Sequence, residues 1–344
     1  MPTTYAIPDG RTVMAATLVS GVTGGVQTVS NAVNGVSFQP DLIWTKTRSA
    51  VDNHYLVDSV RGTSNYLSSN LTNAEASNAN FITAITSSGY SYGSSGYGSG
   101  TTLVGWQWKA GGTSSSNTNG SITSTVSANT TAGFSVATYT GNGSAGATFG
   151  HGLGVAPSFV IVKERSNANG WLCYHISTGN TGYLELDATL AFQTLSTVWN
   201  NTTPSSTVVT LGTVSNVNRN GGTFVAYCFA PVAGYSAFGS YTGNGSADGP
   251  FVYTGFRPRW IMVKNTTNSG GATNWVMQDS SRNGYNPNKT LYANASSAED
   301  SSAYFDILSN GFKVRDTFRD VNTSGDTYIY ACFAENPFKY ANAR

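Results

Sequence analysis

The chain has 344 residues and a formal net charge of +1, and 10% of its residues are charged, against about 25% in average globular proteins. Aromatic residues make up 12%, which is not the composition of a disordered chain. The 18 basic residues are scattered, so nucleic acid is not expected as a partner. Uninterrupted apolar stretches are far shorter than the roughly 18 residues of a membrane span, so none is predicted.

The first residues, 1–11, precede any repeated pattern and contain two prolines. They lack the basic start and apolar centre of a signal peptide, so we expect synthesis in a cytoplasm. We interpret 1–11 as an N-terminal extension.

From residue 12 onward, short runs rich in Val, Ile, Thr, Tyr and Phe alternate with Gly, Asn and Ser. This pattern is typical of β-strands joined by turns, and no long helical periodicity accompanies it. The predicted fold class is therefore all-β, with three tandem related β-sandwich domains of a jelly-roll or lectin-like type.

Three near-copies of one repeat occupy residues 12–110, 133–232 and 233–344. Each copy closes on an aromatic strand, and the landmarks arrive in the same order, so these are domain-sized duplications rather than solenoid repeats of about 20–50 residues. Each copy also carries an x-Pro dipeptide followed by an apolar strand that ends in lysine, at Lys46, Lys163 and Lys264.

Two of these strands, at 159–162 and 260–263, are continuous apolar runs. Such runs indicate strands that are buried on both faces or lie at a subunit contact.

Between the first two copies, residues 111–132 are rich in Ser, Thr and Gly, which predicts a flexible or extended linker. Residues 230–235 form a short connection between the second and third copies, so we expect those two copies to pack as a rigid pair. Segments 71–75 and 295–299, matched less well by 187–191, could form a helical turn or a loop.

The turn sequence Gly-Asn-Gly-Ser occurs twice, and the first occurrence satisfies the letters of a dinucleotide-binding fingerprint. The second occurrence has Asp248 where the third glycine should be, and no helical pattern follows either one. We therefore predict no cofactor and interpret the glycines and asparagines as structural turns in hairpins, at Gly141, Asn142, Gly143, Gly243, Asn244 and Gly245.

No residue is predicted to be catalytic or to bind metal. Glu185 and Asp187 are an acidic pair, but the other copies carry Ser, Ala and Asn there, so a solvated strand face is favoured over the paired acids of a glycosidase. Residues 320–326 begin like a calcium loop but lack the acidic residue at the twelfth position. The three histidines are too dispersed for a metal cluster. Cys173, Cys228 and Cys332 are expected to be buried and unpaired.

A stretch rich in Tyr, Gly and Ser contains Tyr90, Tyr92 and Tyr97. Such a composition gives rigid amphipathic contact surface with adaptable hydrogen bonding, and it suits stacking on sugars. The three tyrosines are our candidate surface-binding loop. The alternative is a hairpin whose tyrosines cover their own domain.

The repeated Tyr-Thr-Gly-Asn-Gly-Ser, the x-Pro strands that end in lysine and the segment 333–340, Phe-Ala-Glu-Asn-Pro-Phe-Lys-Tyr, resemble a family of tailed-bacteriophage virion proteins found in marine and aquatic phages. The resemblance implies a structural protein on the particle surface and supplies no catalytic residues. A tail fibre or adhesin that recognises a host glycan or envelope protein is the first expectation. A capsid decoration protein or head fibre is the alternative, and a glycan depolymerase is the second alternative.

On this reading the partners are other virion proteins, the host surface and the chain itself, as a homotrimer. Trimer formation would cover sheet edges and apolar strand faces that isolated sandwiches leave open. The extension 1–11 would be the virion anchor.

Overall fold

The computed structural model describes residues 5–20, 25–93, 100–268, 270–283, 286 and 288–335. These residues confirm the all-β prediction, because antiparallel sheets account for nearly all of the regular structure. We call residues 12–110, 111–232 and 233–335 modules 1, 2 and 3. A 3-10 helix, η1 (Gly10–Thr12), precedes the first strand.

Each module contains a run of short strands. The strands of module 1 are β1 (Met14–Ser20), β2 (Gln27–Ser30), β3 (Leu42–Thr47), β4 (His54–Asp58), β5 (Asn65–Tyr66), β6 (Ala76–Ser77), β7 (Ile82–Thr86), β8 (Gly89–Tyr92) and β9 (Thr102–Trp108). Module 2 comprises β10 (Ser115–Asn117), β11 (Ser124–Asn129), β12 (Phe134–Thr140), β13 (Ala147–Gly150), β14 (Phe159–Glu164), β15 (Leu172–His175), β16 (Gly179–Glu185), β17 (Gln193–Thr194), β18 (Val208–Leu211), α1 (Ser215–Asn218) and β19 (Thr223–Phe229). Module 3 comprises β20 (Ser236–Thr242), β21 (Phe251–Tyr253), β22 (Pro258–Asn265), β23 (Val276–Asp279), α2 (Ser280–Asn283), β24 (Leu291–Tyr292), β25 (Phe305–Leu308), β26 (Gly311–Val314), α3 (Arg319–Asn322) and β27 (Thr327–Ala334).

The three modules share one strand order. In each, the first strand pairs with the closing strand, which pairs with the x-Pro strand, which pairs with the next: β1-β9-β3-β4, β12-β19-β14-β15 and β20-β27-β22-β23. A smaller second sheet covers each of these larger sheets: β2-β8-β7, β13-β18 and β21-β26-β25. The duplication seen in the sequence is therefore a duplication of topology.

The prediction of a linker over residues 111–132 is wrong. Strands β10 and β11 form within it and extend the large sheet of module 2 by pairing with β12. Polar Ser side chains are compatible with this position because β10 is the edge strand of the sheet and is largely exposed, while β11 between β10 and β12 still contributes Val126 to the core of module 2. Segments 71–75 and 295–299 form loops rather than helical turns.

The x-Pro strands at the centre of the large sheets are buried on both faces, as the continuous apolar runs predicted. In β14, Val160 and Val162 point into the core between the two sheets of module 2. Phe159 and Ile161 alternate with them and point into a second core, which contains residues of all three modules. Strands β3, β14 and β22 are consequently buried at every position.

Three aromatic side chains meet at the centre of this common core. Trp108, Phe229 and Phe333 hold equivalent positions near the ends of the three closing strands. Their ring centroids form a triangle with sides of 6.3, 5.7 and 5.6 Å, and each pair meets edge to face, the geometry that aromatic pairs prefer. The modules are thus arranged with approximate threefold symmetry within one chain.

This internal symmetry removes the argument from which we expected a homotrimer. The apolar strand faces that a trimer was expected to bury are already covered by sister modules. The described part of the N-terminal extension also packs on this body. Ile7 belongs to the common core, and the ring of Tyr5 lies against Gly234. The anchoring role of 1–11 stays a prediction.

Replacing Phe229 by alanine should lower the free energy of unfolding by about 3–5 kcal/mol, because a fully packed aromatic ring is lost from the centre of the molecule. Phe251→Ala, which removes the same side chain from an exposed position, should change it by less than about 0.5 kcal/mol. Denaturant unfolding followed by tryptophan fluorescence and circular dichroism measures both. Both probes should report one shared transition for the wild type, since the modules share a core, and separate transitions would contradict this arrangement.

Candidate functional site

The junctions between modules are built from the lysine that ends each x-Pro strand. Lys46, Lys163 and Lys264 are fully buried. Each ammonium group donates to a backbone carbonyl of another module: that of Ser296 at 3.3 Å, Thr72 at 3.1 Å and Thr189 at 3.2 Å. These three acceptors lie in the equivalent segments that the sequence left open between helical turn and loop.

The same segments are held by backbone hydrogen bonds that repeat at every junction. The carbonyl of Thr72 also accepts from the backbone amide of Asn169, at 2.9 Å. The backbone amide of Glu75 donates to the carbonyl of Arg165 at 2.8 Å. The other two junctions contain the same pair of bonds, each from a backbone amide to a backbone carbonyl. Between modules 1 and 3 they run from Asp52 to Ser296 and from Glu299 to Arg48. Between modules 2 and 3 they run from Thr273 to Thr189 and from Phe192 to Thr266. Each module therefore contacts the next in the same way.

Burial weakens the proton affinity of these lysines. It lowers the pKa of Lys46 and Lys163 to about 8 and that of Lys264 to about 7, with nearby carboxylates acting weakly in the opposite direction. Each ammonium group donates to at least two backbone carbonyls, and that of Lys264 also donates to the Thr273 hydroxyl. These bonds offset the cost of burying an amine.

Two junctions add buried ion pairs. Arg61 binds Asp58 at 2.5 Å and Glu75 at 2.8 Å, and the hydroxyl of Tyr227, from module 2, donates to Asp58 at 2.9 Å. Arg282 with Asp279 and Glu299 repeats this pattern between modules 3 and 1. At the junction between modules 2 and 3, His175 stands at the position that Asp58 and Asp279 hold in the other modules.

The predicted acidic pair serves the scaffold. The carboxylate of Asp187 accepts from the amide of Trp171 at 2.7 Å, and at the equivalent positions the amide oxygens of Asn70 and Asn294 accept the corresponding bonds. An acceptor oxygen is all that this position requires. Glu185 and Asp187 are half-buried rather than solvated, and burial together with their mutual repulsion raises the pKa of Glu185.

The three histidines are core residues with satisfied ring nitrogens. Nε2 of His54, His151 and His175 lies 2.9–3.2 Å from a backbone carbonyl, and Nδ1 accepts a hydrogen bond in each case. Burial lowers the pKa of His54 to about 3 and that of His175 to about 4, so both are neutral donors.

The cysteine prediction is confirmed: Cys173, Cys228 and Cys332 are buried and free.

In the segment with the calcium-like start, Asp320 accepts from Asn274 and Asp326 accepts from Asn265. Within the described residues, no group of three His, Cys, Asp or Glu side chains could hold a metal ion.

The Gly-Asn-Gly-Ser segments are turns, but they do not close hairpins. Strand β12 pairs with β11 and β19, and the turn after it leads to β13 in the other sheet. A buried asparagine shapes each turn: the Asn218 amide oxygen accepts from Asn142 and Gly143, and that of Asn322 accepts from Asn244. The positive φ that a tight turn requires occurs at the second glycine, 71° at Gly143 and 67° at Gly245, whereas Gly141 and Gly243 come so close to backbone carbonyls that a Cβ would not fit.

The surface-binding role predicted for Tyr90 and Tyr92 is wrong. Both side chains are fully buried in the core between the sheets of module 1, so the alternative of tyrosines that cover their own domain is correct. The ring of Tyr90 crosses to the backbone of Gly105 on β9, and the hydroxyl of Tyr92 donates to Gln27 at 2.8 Å. Tyr97 lies outside the described residues.

Exposed aromatic side chains occur instead on the outer sheet of module 3. Tyr253 is 64% exposed and Phe251 46% exposed, and both lie on the same face of β21. Leu308 of β25 lies across the intervening strand β26, where Gly311 pairs with both Tyr253 and Leu308. The positions with the same pairing register in the other modules carry small or polar residues, namely Thr28, Ser30, Thr148 and Gly150.

Charged side chains surround this surface, which we call the aromatic face. Lys313 lies opposite Phe251 in the sheet and pairs with Asp248 at 2.8 Å. Arg315 pairs with Asp306. The aromatic face therefore combines apolar rings with hydrogen-bonding groups, as binding surfaces commonly do.

A pocket of about 140 Å³ opens on module 1. Two of its walls are the rings of Tyr55 and Tyr66, which meet edge to face at 5.4 Å and rest on the buried ring of Phe81. The remaining wall residues are small, polar or aliphatic: Asn53, Leu67, Ser68, Leu71, Asn73, Ala74 and Ala76. We call it the tyrosine pocket.

One family model, described as a domain of unknown function (DUF7483), matches residues 17–337. The chain belongs to the DUF7483 family. No curated protein matches it. The match runs through all three modules of this DUF7483 protein, in agreement with the core that they share. No helix among the described residues is long and apolar enough to cross a membrane.

The buried lysines predict a pH dependence of stability. An unfolded lysine keeps its proton up to about pH 10.5, whereas the folded protein releases these protons near pH 7 to 8. The unfolded chain therefore binds more protons in between, and the free energy of unfolding rises with pH from about 7 to 8.5. Above that range the rise should level off, because burial raises the pKa of the three cysteines and unfolding releases their protons.

Lys264→Met should make this rise shallower, since one of the three groups is removed and the apolar stem is retained. Denaturant titrations of both proteins at pH 7.0, 7.5, 8.0 and 8.5 make the comparison. Equal slopes in the two proteins would show that Lys264 is not the group that titrates.

Proposed function

We propose that this DUF7483 protein is a structural protein on the surface of a tailed-phage virion, a tail fibre or adhesin that binds a host-surface glycan through the aromatic face of module 3. The virion location is supported by the resemblance of its repeated Tyr-Thr-Gly-Asn-Gly-Ser segments and x-Pro strands to virion proteins of that kind. The adhesive role is supported by the aromatic face.

The observation that carries the adhesive role is the exposure of Phe251 and Tyr253 on one strand. Side chains two residues apart on a strand point the same way and stand about 7 Å apart, so the two rings form a flat apolar platform. The faces of pyranose rings present C–H groups that pack on such rings, while their hydroxyls reach Lys313 and Arg315 at the rim. Solvent-exposed aromatic patches on stable proteins mark interaction sites.

The scaffold suits this role. The central strands of the large sheets are buried on both faces and the junctions repeat three times, so the aromatic face is presented by a rigid body. A rigid surface loses little conformational entropy on binding.

The capsid decoration protein or head fibre is the alternative on the same scaffold, with the aromatic face directed to the capsid shell. A glycan depolymerase is the second alternative. It would use acidic residues, and the two that the sequence singled out, Glu185 and Asp187, make structural contacts. Asp187 holds the backbone of Trp171 within module 2, and the carbonyl of Glu185 accepts from Trp275 of module 3.

A competition assay tests the proposal. Purified protein is added to host cells before phage, and the rate of phage adsorption is measured on untreated, periodate-oxidised and protease-treated cells. We expect the wild type to slow adsorption, and its binding to be lost after periodate and retained after protease. A double variant, Phe251→Ala with Tyr253→Ala, should compete at least about tenfold less well, since both rings of the platform are removed.

The matched control is Thr28→Ala with Ser30→Ala, which changes the equivalent positions of module 1 and should compete like the wild type. Loss of binding after protease instead of periodate would identify a protein receptor. An absence of cell binding, with antibody labelling of the capsid in particles, would establish the decoration alternative. Release of reducing ends from host polysaccharide would establish the depolymerase.

A further inference from the structure

The tyrosine pocket of module 1 has the size and lining of a site for a small ring. Its volume of about 140 Å³ is close to that of cavities, about 150 Å³, which accept a six-membered ring. The ring of Tyr66 is partly accessible beside the opening, and Tyr55 and Phe81 support it from behind.

The lining is polar but carries no formal charge. Two carboxylates neighbour lining residues in the chain, and both are already paired. Asp52 accepts from the hydroxyls of Thr47 at 2.8 Å and Tyr55 at 3.0 Å, and Glu75 binds Arg61 and Arg165. The residues that line the pocket include no lysine, arginine or histidine. A phosphate or a metal ion would therefore find no compensating charge, whereas a neutral ligand needs none.

Several polar groups of the pocket have hydrogen-bonding capacity to spare. The Tyr66 hydroxyl, the Ser68 hydroxyl and the Asn73 side-chain amide bond to none of the described residues. Together they offer donors and acceptors to a ligand. Asn53 also lines the pocket, and its side-chain oxygen accepts one bond, from Asn70 at 2.8 Å.

The pocket wall is fixed from outside by module 2. The indole N–H of Trp171 donates to the carbonyls of Ser68 at 3.0 Å and Leu71 at 3.2 Å. Lys163 donates to the carbonyl of Thr72. The backbone around the pocket is therefore in place before any ligand arrives, which lowers the cost of binding.

The combination of residues belongs to module 1 alone. The residue equivalent to Tyr55 is Leu172 in module 2 and Val276 in module 3. Asn73 corresponds to Leu190 and Ser297. The scaffold forms equally well without these side chains, so folding does not account for them.

We propose that the tyrosine pocket binds a single neutral pyranose ring, with the C–H face of the sugar on Tyr66 and its hydroxyls on Asn73 and Ser68. This deepens the proposed glycan-binding role by naming a second site and its ligand class. The inference rests on the geometry of module 1 and is tested without phage or host.

The test uses the full chain and four methyl glycosides, those of glucose, galactose, mannose and N-acetylglucosamine, in saturation-transfer difference NMR. Glucose 6-phosphate serves as a charged probe. At least one neutral glycoside should receive saturation, and glucose 6-phosphate should receive less than methyl glucoside. Tyr66→Ala should weaken binding at least about tenfold. Ala74→Leu, which fills the pocket and removes no hydrogen bond, should have the same effect.

Tyr183→Ala changes the equivalent tyrosine of module 2 and should bind like the wild type, and thermal melts confirm that each variant is folded. Binding that survives both Tyr66→Ala and Ala74→Leu, or no transfer to any of the four glycosides, overturns the inference. The outcome is distinguishable from failure of the proposed function. A protein that competes on host cells but gives no transfer retains its adhesive role without this site, and a protein that binds glycosides but no cells retains the site without that role.

Discussion

The contact of three aromatic rings at the centre of the molecule is the constraint on which the rest depends. Trp108, Phe229 and Phe333 lie near the ends of the closing strands, and each closing strand is paired on both sides within its sheet. Fixing the three rings therefore fixes the three sheets. Once the sheets face one another, their x-Pro strands are buried on both sides, which explains the continuous apolar runs at 159–162 and 260–263.

The junctions solve a second problem, which is how to repeat one interface three times while the side chains diverge. Lysine donates to backbone carbonyls, which every residue type supplies. The acceptors can thus be Ser296, Thr72 or Thr189 without loss of the bond. The Asp–Arg pairs need two specific side chains and occur at only two junctions. Bonds to the backbone are retained where bonds between side chains have changed.

The sequence predicted the strands, the burial of the apolar runs and the free cysteines, because each of these follows from local composition. It did not predict the role of the lysines, because the acceptor of Lys46 in module 3, the carbonyl of Ser296, lies 250 positions away and has no signature of its own. Residues 111–132 were mistaken for a linker because β10 and β11, at one end of the sheet, contribute few apolar residues to the core. Tyr90 and Tyr92 were assigned to the surface because composition alone does not tell which way a strand faces.

The candidate binding residues were missed in the sequence, although comparing the copies could have found them. Tyr253 stands where its sisters are Ser30 and Gly150, and Tyr55 stands where they are Leu172 and Val276. Inner faces and junctions are committed to a packing that all three modules share, so a substitution there disturbs the common core. Outer faces and the pocket beside a junction carry no such constraint. Module-specific aromatic side chains can accumulate in those places without cost to the fold, and there they meet solvent and any partner that binds.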